Sequence, residues 1–201
     1  MKLMPHEFIL GVDEAGRGPL AGPVAVGGVA VPLGFDVLAE FPNVKDSKLL
    51  SAQKRELIFN EVERRASRGD LHFAVRFSSH TYIDRFGITR AVQTASWSGI
   101  RELAPPSHAV VMLDGLLRAP KSYAQRTVIH GDALVPVIGL ASILAKVTRD
   151  RTMEQLARFY PEYGFEQHKG YGTQAHYRAL RRHGLCDIHR RTYCKTAGKV
   201  A

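Results

Sequence analysis

The feature that most constrains the fold of this chain is a short apolar run followed by two adjacent acidic residues. Phe8-Ile9-Leu10-Gly11-Val12 has the length and residue types of a buried strand, and Asp13-Glu14 follows directly. Two carboxylates at the end of a buried strand are costly unless a partner compensates them. A divalent cation that prefers oxygen ligands, Mg²⁺ or Mn²⁺, is the usual partner. Taken alone, the segment also fits an ordinary glycine-rich turn.

Gly16-Arg17-Gly18 comes next and adds a second kind of chemistry. Glycines leave backbone N–H groups accessible, and a guanidinium binds phosphate. Acidic groups for a metal beside basic groups for phosphate are what metal-assisted cleavage of a nucleic-acid backbone requires. The segment therefore predicts such a site.

The charge balance favours a polyanionic partner. The 201 residues include 28 Lys and Arg against 19 Asp and Glu, a net charge of +9, and the basic residues concentrate from Lys146 onward. Nucleic acid is the first candidate for such a partner. The sequence has no secretory or membrane-spanning apolar segment and two cysteines, so we expect a cytoplasmic, reduced protein without a membrane partner.

A group of possible zinc ligands stands near the C-terminus. His183, Cys186, His189 and Cys194 alternate there, but their spacings differ from the paired separations of zinc sites. Gly184 also predicts the end of a helix between the first two. We therefore predict that these residues do not form a zinc site.

The remaining pattern predicts one α/β domain. With 45% hydrophobic residues the chain can bury one core, and we expect a single domain over 1–201. About 1–150 would form the α/β core and about 151–201 a basic, helical C-terminal extension. The predicted strands after the first are an antiparallel second strand over 24–31 and further strands over 71–77, 109–113 and 127–129. The predicted helices begin after Ser51, run from Ile83 to Leu103, and cover 138–151. The helix after Ser51 has Leu57, Ile58 and Val62 on one face.

Four carboxylates are expected to meet at one edge of this sheet. Asp13 and Asp114 each end an apolar strand, and Asp132 ends the next one. Functional sites collect at the carboxyl ends of such strands. With Glu14, these acids could not all stay ionised without cations, and two metals close together would neutralise them.

Six motifs in order make the sequence resemble ribonuclease HII, the bacterial type 2 ribonucleases H. They cover nearly the whole chain and are Gly11 to Val24, Asp46-Ser47-Lys48-Leu49-Leu50, Leu113-Asp114-Gly115, Ala141 to Asp150, Tyr163-Gly164-Phe165 with His168-Lys169-Gly170-Tyr171, and His189-Arg190-Arg191.

The resemblance implies a ribonuclease-H-like mixed β-sheet flanked by helices. It also implies an endoribonuclease that cuts the RNA strand of RNA–DNA hybrids and incises 5′ of single ribonucleotides in duplex DNA. By resemblance, Asp13, Glu14, Asp114 and Asp132 are the catalytic and metal-binding carboxylates, which use Mg²⁺ or Mn²⁺, two per site.

Substrate contacts follow from the same resemblance. Gly16, Arg17 and Gly18 match the loop that reads the ribose 2′-hydroxyl, the group that distinguishes RNA from DNA. Tyr171 matches the tyrosine that packs at the RNA-to-DNA junction. We expect phosphate contacts from the following residues, with Ser142 a further substrate-binding candidate: Lys48, Lys146, Lys169 and Arg190.

Three positions depart from the family's pattern. His130 stands where a lysine is common, Gly139-Leu140-Ala141-Ser142 replaces Ser-Ala-Ala-Ser, and glycine rather than proline follows Tyr171. None of these changes removes a carboxylate. The first one bears on phosphate affinity near residue 130.

Other interpretations are weaker. A type 3 ribonuclease H carries an extra N-terminal substrate-binding domain, and with the first carboxylate at residue 13 we do not expect one here. A non-catalytic basic nucleic-acid-binding module would gain nothing from four carboxylates that repel phosphate. A docking role in a repair assembly, through the tail from Lys195 to Ala201, stays open. We expect a monomer.

The expected chemistry is metal-assisted attack of water on the phosphate 5′ of a ribonucleotide. It leaves a 3′-hydroxyl and a 5′-phosphate. We expect the Tyr171 ring to stack on the sugar beyond the scissile phosphate. Recognition of the 2′-hydroxyl would then be coupled to assembly of the metal site, which would spare plain DNA.

Overall fold

A computed structural model describes residues 7–44 and 49–194 of the chain. Its described part is built around a five-stranded sheet in the order β3-β2-β1-β4-β5. The strands are β1 (Phe8–Ala15), β2 (Val24–Pro32), β3 (His72–Ser78), β4 (Ala109–Asp114) and β5 (Ala124–Val128). Lys48 and the rest of the Asp46-Ser47-Lys48 motif lie outside the described residues.

The sheet is mixed, as predicted. β1 pairs antiparallel with β2, and β2 pairs antiparallel with β3. On its other side β1 pairs parallel with β4, and β4 pairs parallel with β5. The parallel half therefore brings the carboxyl ends of β1, β4 and β5 to one edge.

Helices cover both faces of the sheet. They are α1 (Val37–Glu40), α2 (Ala52–Ala66), α3 (His80–Phe86), α4 (Ile88–Leu103), α5 (Gly131–Leu134), α6 (Pro136–Ala157), α7 (Phe165–His168) and α8 (Gln174–His183). Short 3₁₀ turns lie at Pro106–His108 and Pro161–Tyr163. Within residues 7–44 and 49–194, no helix is long and apolar enough to cross a membrane.

Two apolar cores lie on opposite faces of the sheet. One packs α4 against side chains such as Leu10, Val12 and Val111. The other packs α2 and α6 against Val29 and Val31. A third cluster joins Leu20 to the C-terminal helices through Met153 and Phe165. This third cluster anchors the helical C-terminal region beside the loop that follows β1.

Close approach of α6 to the sheet depends on two strand glycines. A Cβ added at Gly11 would lie 2.1 Å from the carbonyl oxygen of Val137, and one at Gly27 would lie 2.3 Å from that of Ala141. Distances this short are not compatible with a side chain. The helix backbone therefore rests directly on β1 and β2.

The structure corrects several predicted boundaries. The helix expected from Ile83 to Leu103 is two helices, because Gly87 adopts a left-handed φ of 81° and separates α3 from α4. Ser51 caps α2 as predicted, but Leu57 is exposed, while Phe59 and Val62 face the core. Asp132 lies in the short helix α5 rather than at a strand end.

The helix predicted over 138–151 is longer than expected. It runs from Pro136 to Ala157. The expected division between core and extension near residue 150 therefore falls inside α6.

Candidate active site

Parallel pairing of β1 with β4 places two carboxylates side by side. The register pairs Val12 with Leu113, so Asp13 and Asp114 follow at neighbouring positions of the same sheet edge. Asp114 Oδ1 accepts a 2.6 Å hydrogen bond from the backbone N–H of Gly131. This bond draws the turn that carries the buried Asp132 towards the end of β4.

Asp13 is a buried acid that holds its proton unusually well. Its side chain is 6% exposed. Burial, followed by the charges of Glu14 and Asp114, raises the pKa of Asp13 from 3.8 to about 7. Hydrogen bonds from Ser142 and from the Glu14 backbone N–H, the latter 2.7 Å long, oppose that rise. The carboxyl groups of Asp13, Glu14 and Asp114 thus lie together in a site with little access to water.

Glu14 brings an unsatisfied oxygen to the same place. Its Oε1 accepts a 3.1 Å hydrogen bond from Arg17, whereas Oε2 is buried and has no hydrogen-bond partner. Burial raises the pKa of Glu14 despite the neighbouring guanidinium. An orphaned carboxylate oxygen among other carboxylates is the environment that a divalent cation compensates.

The donor set therefore fits hard divalent cations. Among the residues that the structure describes, no three His, Cys, Asp or Glu side chains already stand in the arrangement of a bound metal ion. The fit rests instead on the orphaned Glu14 oxygen and on the raised pKa of Asp13. The electrostatic coupling joins Asp13, Glu14 and Asp114, while the buried Asp132 follows Gly131, whose N–H bonds to Asp114.

A groove opens directly beside these acids. It is a cavity of about 430 Å³ between the loop after β1, the middle of α6 and the segment after α7. Arg55, which sequence reasoning missed, also lines it and donates a 2.7 Å hydrogen bond to the Leu50 carbonyl. The predicted site residues that line the groove are Glu14, Gly16, Arg17, Gly18, Ser142, Lys146 and Tyr171.

The position of Gly16 admits no other residue. Its φ is 94°, and an added Cβ would lie 2.0 Å from Nε of Arg149. Arg149 is fully buried and donates to the carbonyls of Pro23 (2.9 Å) and Lys169 (3.0 Å). The glycine-rich loop therefore lies directly on a buried guanidinium.

Tyr171 forms part of the opposite wall. It is 40% exposed, and its ring centroid lies 5.6 Å from Cζ of Arg149 and 5.9 Å from Nζ of Lys146. Cations at this range are attracted by the face of an aromatic ring. The ring is thus held by neighbouring cations and still has surface to offer a ligand.

Two of the predicted phosphate-binding lysines already have acidic partners. Lys146 pairs with Asp150 at 2.9 Å, and Lys169 pairs with Glu154 at 2.8 Å. Lys146 lines the groove, whereas Lys169 does not. A phosphate would have to replace or share these carboxylates.

Arg190 departs from the prediction that it contacts phosphate. Its side chain is fully buried, and its guanidinium donates to the carbonyls of Gly16 (2.7 Å), Arg17 (2.8 Å) and Gly22 (3.0 Å). All three bonds go to the loop between β1 and β2. No sequence signal separates a buried arginine from an exposed one in a basic segment, because both suit a nucleic-acid-binding chain.

The His and Cys residues near the C-terminus have hydrogen-bond partners instead of zinc geometry. His189 Nε2 lies 3.0 Å from His176 Nε2, and its Nδ1 faces Cys186. Cys186 and Cys194 are free thiols, and His183 is exposed. That these residues do not form a zinc site stays a prediction.

The fold and the acidic sheet edge define the class of protein. A mixed five-stranded sheet with carboxylates at the ends of its two central parallel strands is the architecture of ribonuclease-H-like nucleases. The family model described as Ribonuclease HII matches residues 10–196, and the chain belongs to that family.

Individual relatives agree with this assignment. The chain is 43% identical over 197 residues to ribonuclease HII of Delftia acidovorans (strain DSM 14801 / SPH-1), covering 98% of this chain and 80% of the relative. The ribonuclease H2 of Pyrococcus horikoshii OT3 superposes with a TM-score of 0.73 at 25% identity, covering 96% and 97% of the two chains.

A third comparison shows the fold alone. Bst-RNase HIII in complex with Mn²⁺ superposes with a TM-score of 0.64 at 19% identity, covering 98% of this chain and 72% of the other.

Membership of the family settles the kind of activity. The protein is a ribonuclease H, a hydrolase that acts endonucleolytically on the RNA strand of RNA–DNA substrates and depends on divalent metal. The alternative of a non-catalytic basic binding module is therefore wrong.

Proposed function

We propose that the chain cuts the RNA strand of RNA–DNA hybrids and also incises 5′ of a single ribonucleotide embedded in duplex DNA. The products would carry a 3′-hydroxyl and a 5′-phosphate. One observation carries the proposal most: a buried carboxyl group, Asp13, shares an acidic cluster with Glu14 and Asp114 at the edge of a groove lined by glycines and a tyrosine.

Asp13, Glu14, Asp114 and Asp132 would hold two divalent cations, Mg²⁺ or Mn²⁺. When bound, such cations supply Lewis-acid activation of water and neutralise charge on the phosphate. Ser142 supports this assignment because its hydrogen bond stabilises the ionised form of Asp13. Arg17 does the same for Glu14.

Recognition would come from the two walls of the groove. On one wall the backbone N–H groups of Arg17 and Gly18, which line the groove together with Glu14, would read a 2′-hydroxyl beside the scissile phosphate. On the other wall the Tyr171 ring would stack on the next sugar. Plain DNA would bind without completing the site, because it lacks the group that the first wall reads.

Phosphates flanking the scissile bond would be bound by lysines. Lys146 is the best placed, since it lines the groove from the middle of α6. Lys169 would take part only after leaving Glu154. A phosphate contact from Lys48 stays a prediction. A single domain and a monomeric state also stay predictions.

The test is cleavage of a DNA duplex that contains one ribonucleotide, with both product ends mapped. We expect cleavage with Mg²⁺ or Mn²⁺, none in chelator, and none of the matched all-DNA duplex. Asp13→Asn is the inactive control. Cleavage in chelator, or products ending in a 2′,3′-cyclic phosphate, would show that the 2′-hydroxyl attacks instead of water.

Cleavage of the hybrid but not of the single-ribonucleotide duplex would contradict the proposed incision at single ribonucleotides and leave the proposed hydrolysis of hybrids.

A further inference from the structure

One short C-terminal segment lies against the loop that forms the groove wall. Ala21 and His189 form an antiparallel bridge. The Gly22 N–H donates to the Ile188 carbonyl (2.9 Å), and the Arg190 N–H donates to the Leu20 carbonyl (2.7 Å). In an extended segment, consecutive side chains point to opposite sides. His189 and Arg190 can therefore reach different parts of the site from one place.

Arg190 sets the direction of the peptide groups in the first wall. Its guanidinium holds the carbonyl oxygens of Gly16 and Arg17. A trans peptide unit points its carbonyl and the next N–H in opposite directions, and the described residues contain no cis peptide bond. With both carbonyls turned to Arg190, the N–H groups of Arg17 and Gly18 are turned away from it.

His189 reaches the second wall through another histidine. Nδ1 of His176 lies 2.9 Å from the Tyr171 carbonyl, which can only accept, so this nitrogen carries a proton. Nε2 of His176 is then the acceptor in the 3.0 Å contact with Nε2 of His189. Nδ1 of His189 is then unprotonated and accepts a 2.9 Å hydrogen bond from the Cys186 N–H.

For two neutral rings, the Cys186 N–H and the Tyr171 carbonyl at the two ends of this hydrogen-bond chain give each of its three bonds a direction. Nδ1 of His189 also lies 3.1 Å from Sγ of Cys186 and 3.3 Å from its carbonyl oxygen. Burial lowers the pKa of His176 and of His189 to about 4, which keeps both rings neutral near pH 7. The neutral state is the one that this sequence of donors and acceptors requires.

The two walls also touch each other. The Leu20 N–H donates to the Gly170 carbonyl at 2.8 Å, and a Cβ at Gly170 would lie 2.5 Å from the Ala21 carbonyl oxygen. A shift of one wall is therefore transmitted to the other.

We propose that His189 and Arg190 are positioning residues for the nuclease reaction: Arg190 orients the N–H groups of the Gly16-Arg17-Gly18 loop, and His189, through His176, holds the backbone at Tyr171. The proposal rests on the proposed function, since it assigns these two walls to substrate recognition. Neither residue touches the substrate. Their loss should lower turnover of bound substrate more than affinity, because affinity comes mainly from phosphate contacts.

The first test uses the native enzyme and needs no variant. Nitrogen-15 NMR of the histidine rings at pH 7 should show His176 protonated at Nδ1 and His189 protonated at Nε2. A proton on Nε2 of His176, or a positive charge on either ring, would overturn the histidine half of the proposal.

The second test compares matched variants. Arg190→Lys keeps the charge but loses the planar fork of donors, and Arg191→Lys makes the same change at the exposed neighbouring residue. His189→Leu removes the donor, His189→Gln restores one at the equivalent atom, and His183→Gln is the exposed control.

We expect Arg190→Lys and His189→Leu to lower kcat on the single-ribonucleotide duplex about tenfold or more. KM should change less than about threefold, because the phosphate contacts remain. His189→Gln should recover most of the loss, and the two exposed controls should behave as the native enzyme.

Amide hydrogen exchange separates positioning from a general loss of stability. It should quicken at 16–22 in Arg190→Lys and at 170–176 in His189→Leu, with strand β4 unchanged. Faster exchange throughout the chain, or equal changes in kcat and KM, would overturn the proposal. A native enzyme that fails to cut the single-ribonucleotide duplex would overturn the proposed function, while ring protonation and local exchange would still decide the positioning role.

Discussion

Asp13 illustrates how burial prepares a carboxyl group for a metal. Burial and the charges of two neighbouring acids raise its pKa to about 7, so the metal-free protein carries an electrostatic penalty at this point. A divalent cation removes that penalty by supplying the missing positive charge. The same residue is therefore a cost for stability and, under the proposed function, a requirement for activity.

Replacing Asp13 by Asn should stabilise the metal-free protein at pH 8 while abolishing cleavage. The folded state keeps a proton that the unfolded chain releases, so native stability falls as pH rises from about 4 through about 7. Asp13→Asn has no carboxyl group to titrate here, so its free energy of unfolding should exceed that of the native protein by on the order of 1–3 kcal/mol at pH 8 and by little at pH 4.

Denaturant unfolding in chelator at the two pH values measures the difference. Asp70→Asn, at an exposed acid, serves as the control and should change little. Equal stability of Asp13→Asn and the native protein at pH 8 would contradict the assigned cause. Added Mn²⁺ should raise the unfolding temperature of the native protein and not that of Asp13→Asn.

Removing the Tyr171 ring should reduce cleavage more than binding. The ring is exposed on the groove wall and held beside Lys146 and Arg149, so its loss removes a stacking surface without removing a charge. We expect Tyr171→Ala to lower kcat for a single-ribonucleotide duplex by about tenfold to a hundredfold. Tyr171→Phe should retain most activity.

Measurements of kcat and of Kd for the uncleaved duplex separate the two effects for Tyr171. A Kd that rises as much as kcat falls would mean that the ring contributes only binding. A Tyr171→Ala enzyme that cuts plain DNA would mean that the ring excludes DNA instead of positioning RNA.

At the scale of elements, the contact of α6 with the sheet decides where the site lies. The helix backbone rests on β1 and β2 because Gly11 and Gly27 have no side chains. This close packing brings Ser142 and Lys146 to the groove beside Asp13. A wider separation would remove both side chains from the acids.

Adding one methyl group at Gly27 should therefore destabilise the protein. Its Cβ would lie 2.3 Å from the Ala141 oxygen and 2.9 Å from the Ala145 nitrogen, both backbone atoms that cannot move independently. We expect Gly27→Ala to cost at least about 2 kcal/mol in the free energy of unfolding.

Gly99→Ala is the matched control for Gly27→Ala. Gly99 lies in α4, and its nearest neighbour would be the flexible Arg76 side chain at 3.7 Å. This variant should be neutral or gain up to about 1 kcal/mol from helix propensity. Urea denaturation of both variants gives the comparison, and equal destabilisation would show that the contact with α6 is not the cause.

At the scale of the whole molecule, the excess positive charge has two uses. The net charge of +9 attracts a nucleic acid over long distances. Arg149 and Arg190, however, are fully buried and bind backbone carbonyls. The basic C-terminal half thus holds the candidate site together, in addition to the substrate contacts proposed for it.

The salt dependence of binding can separate these two uses. Lys146→Met should reduce the slope of log affinity against log salt by about one unit if its ammonium contacts a phosphate. Lys121 lines a different cavity, and Lys121→Met should leave the slope unchanged. Binding of an uncleaved duplex in Ca²⁺ across a salt series gives the slopes. An unchanged slope for Lys146→Met would remove this residue from the phosphate contacts.

Local patterns were enough to predict the strands that carry Asp13 and Asp114, the antiparallel pairing of β1 with β2 and the Ser51 cap, because each depends on residues close in sequence. The mixed sheet followed from the family resemblance, since the parallel pairing of β1 with β4 joins distant parts of the chain. The break at Gly87 was also a local signal, but the apolar spacing on both sides of it favoured one continuous helix.

Only the tertiary structure decided which basic residues face the groove and which hold it together. Arg190 bonds to Gly16 and His189 bonds to His176 across chain separations that no local pattern records. The sequence by itself determined the chemical groups of the site and their order along the chain. Whether a charged side chain is buried or exposed depends on what packs against it, and that is set by the fold.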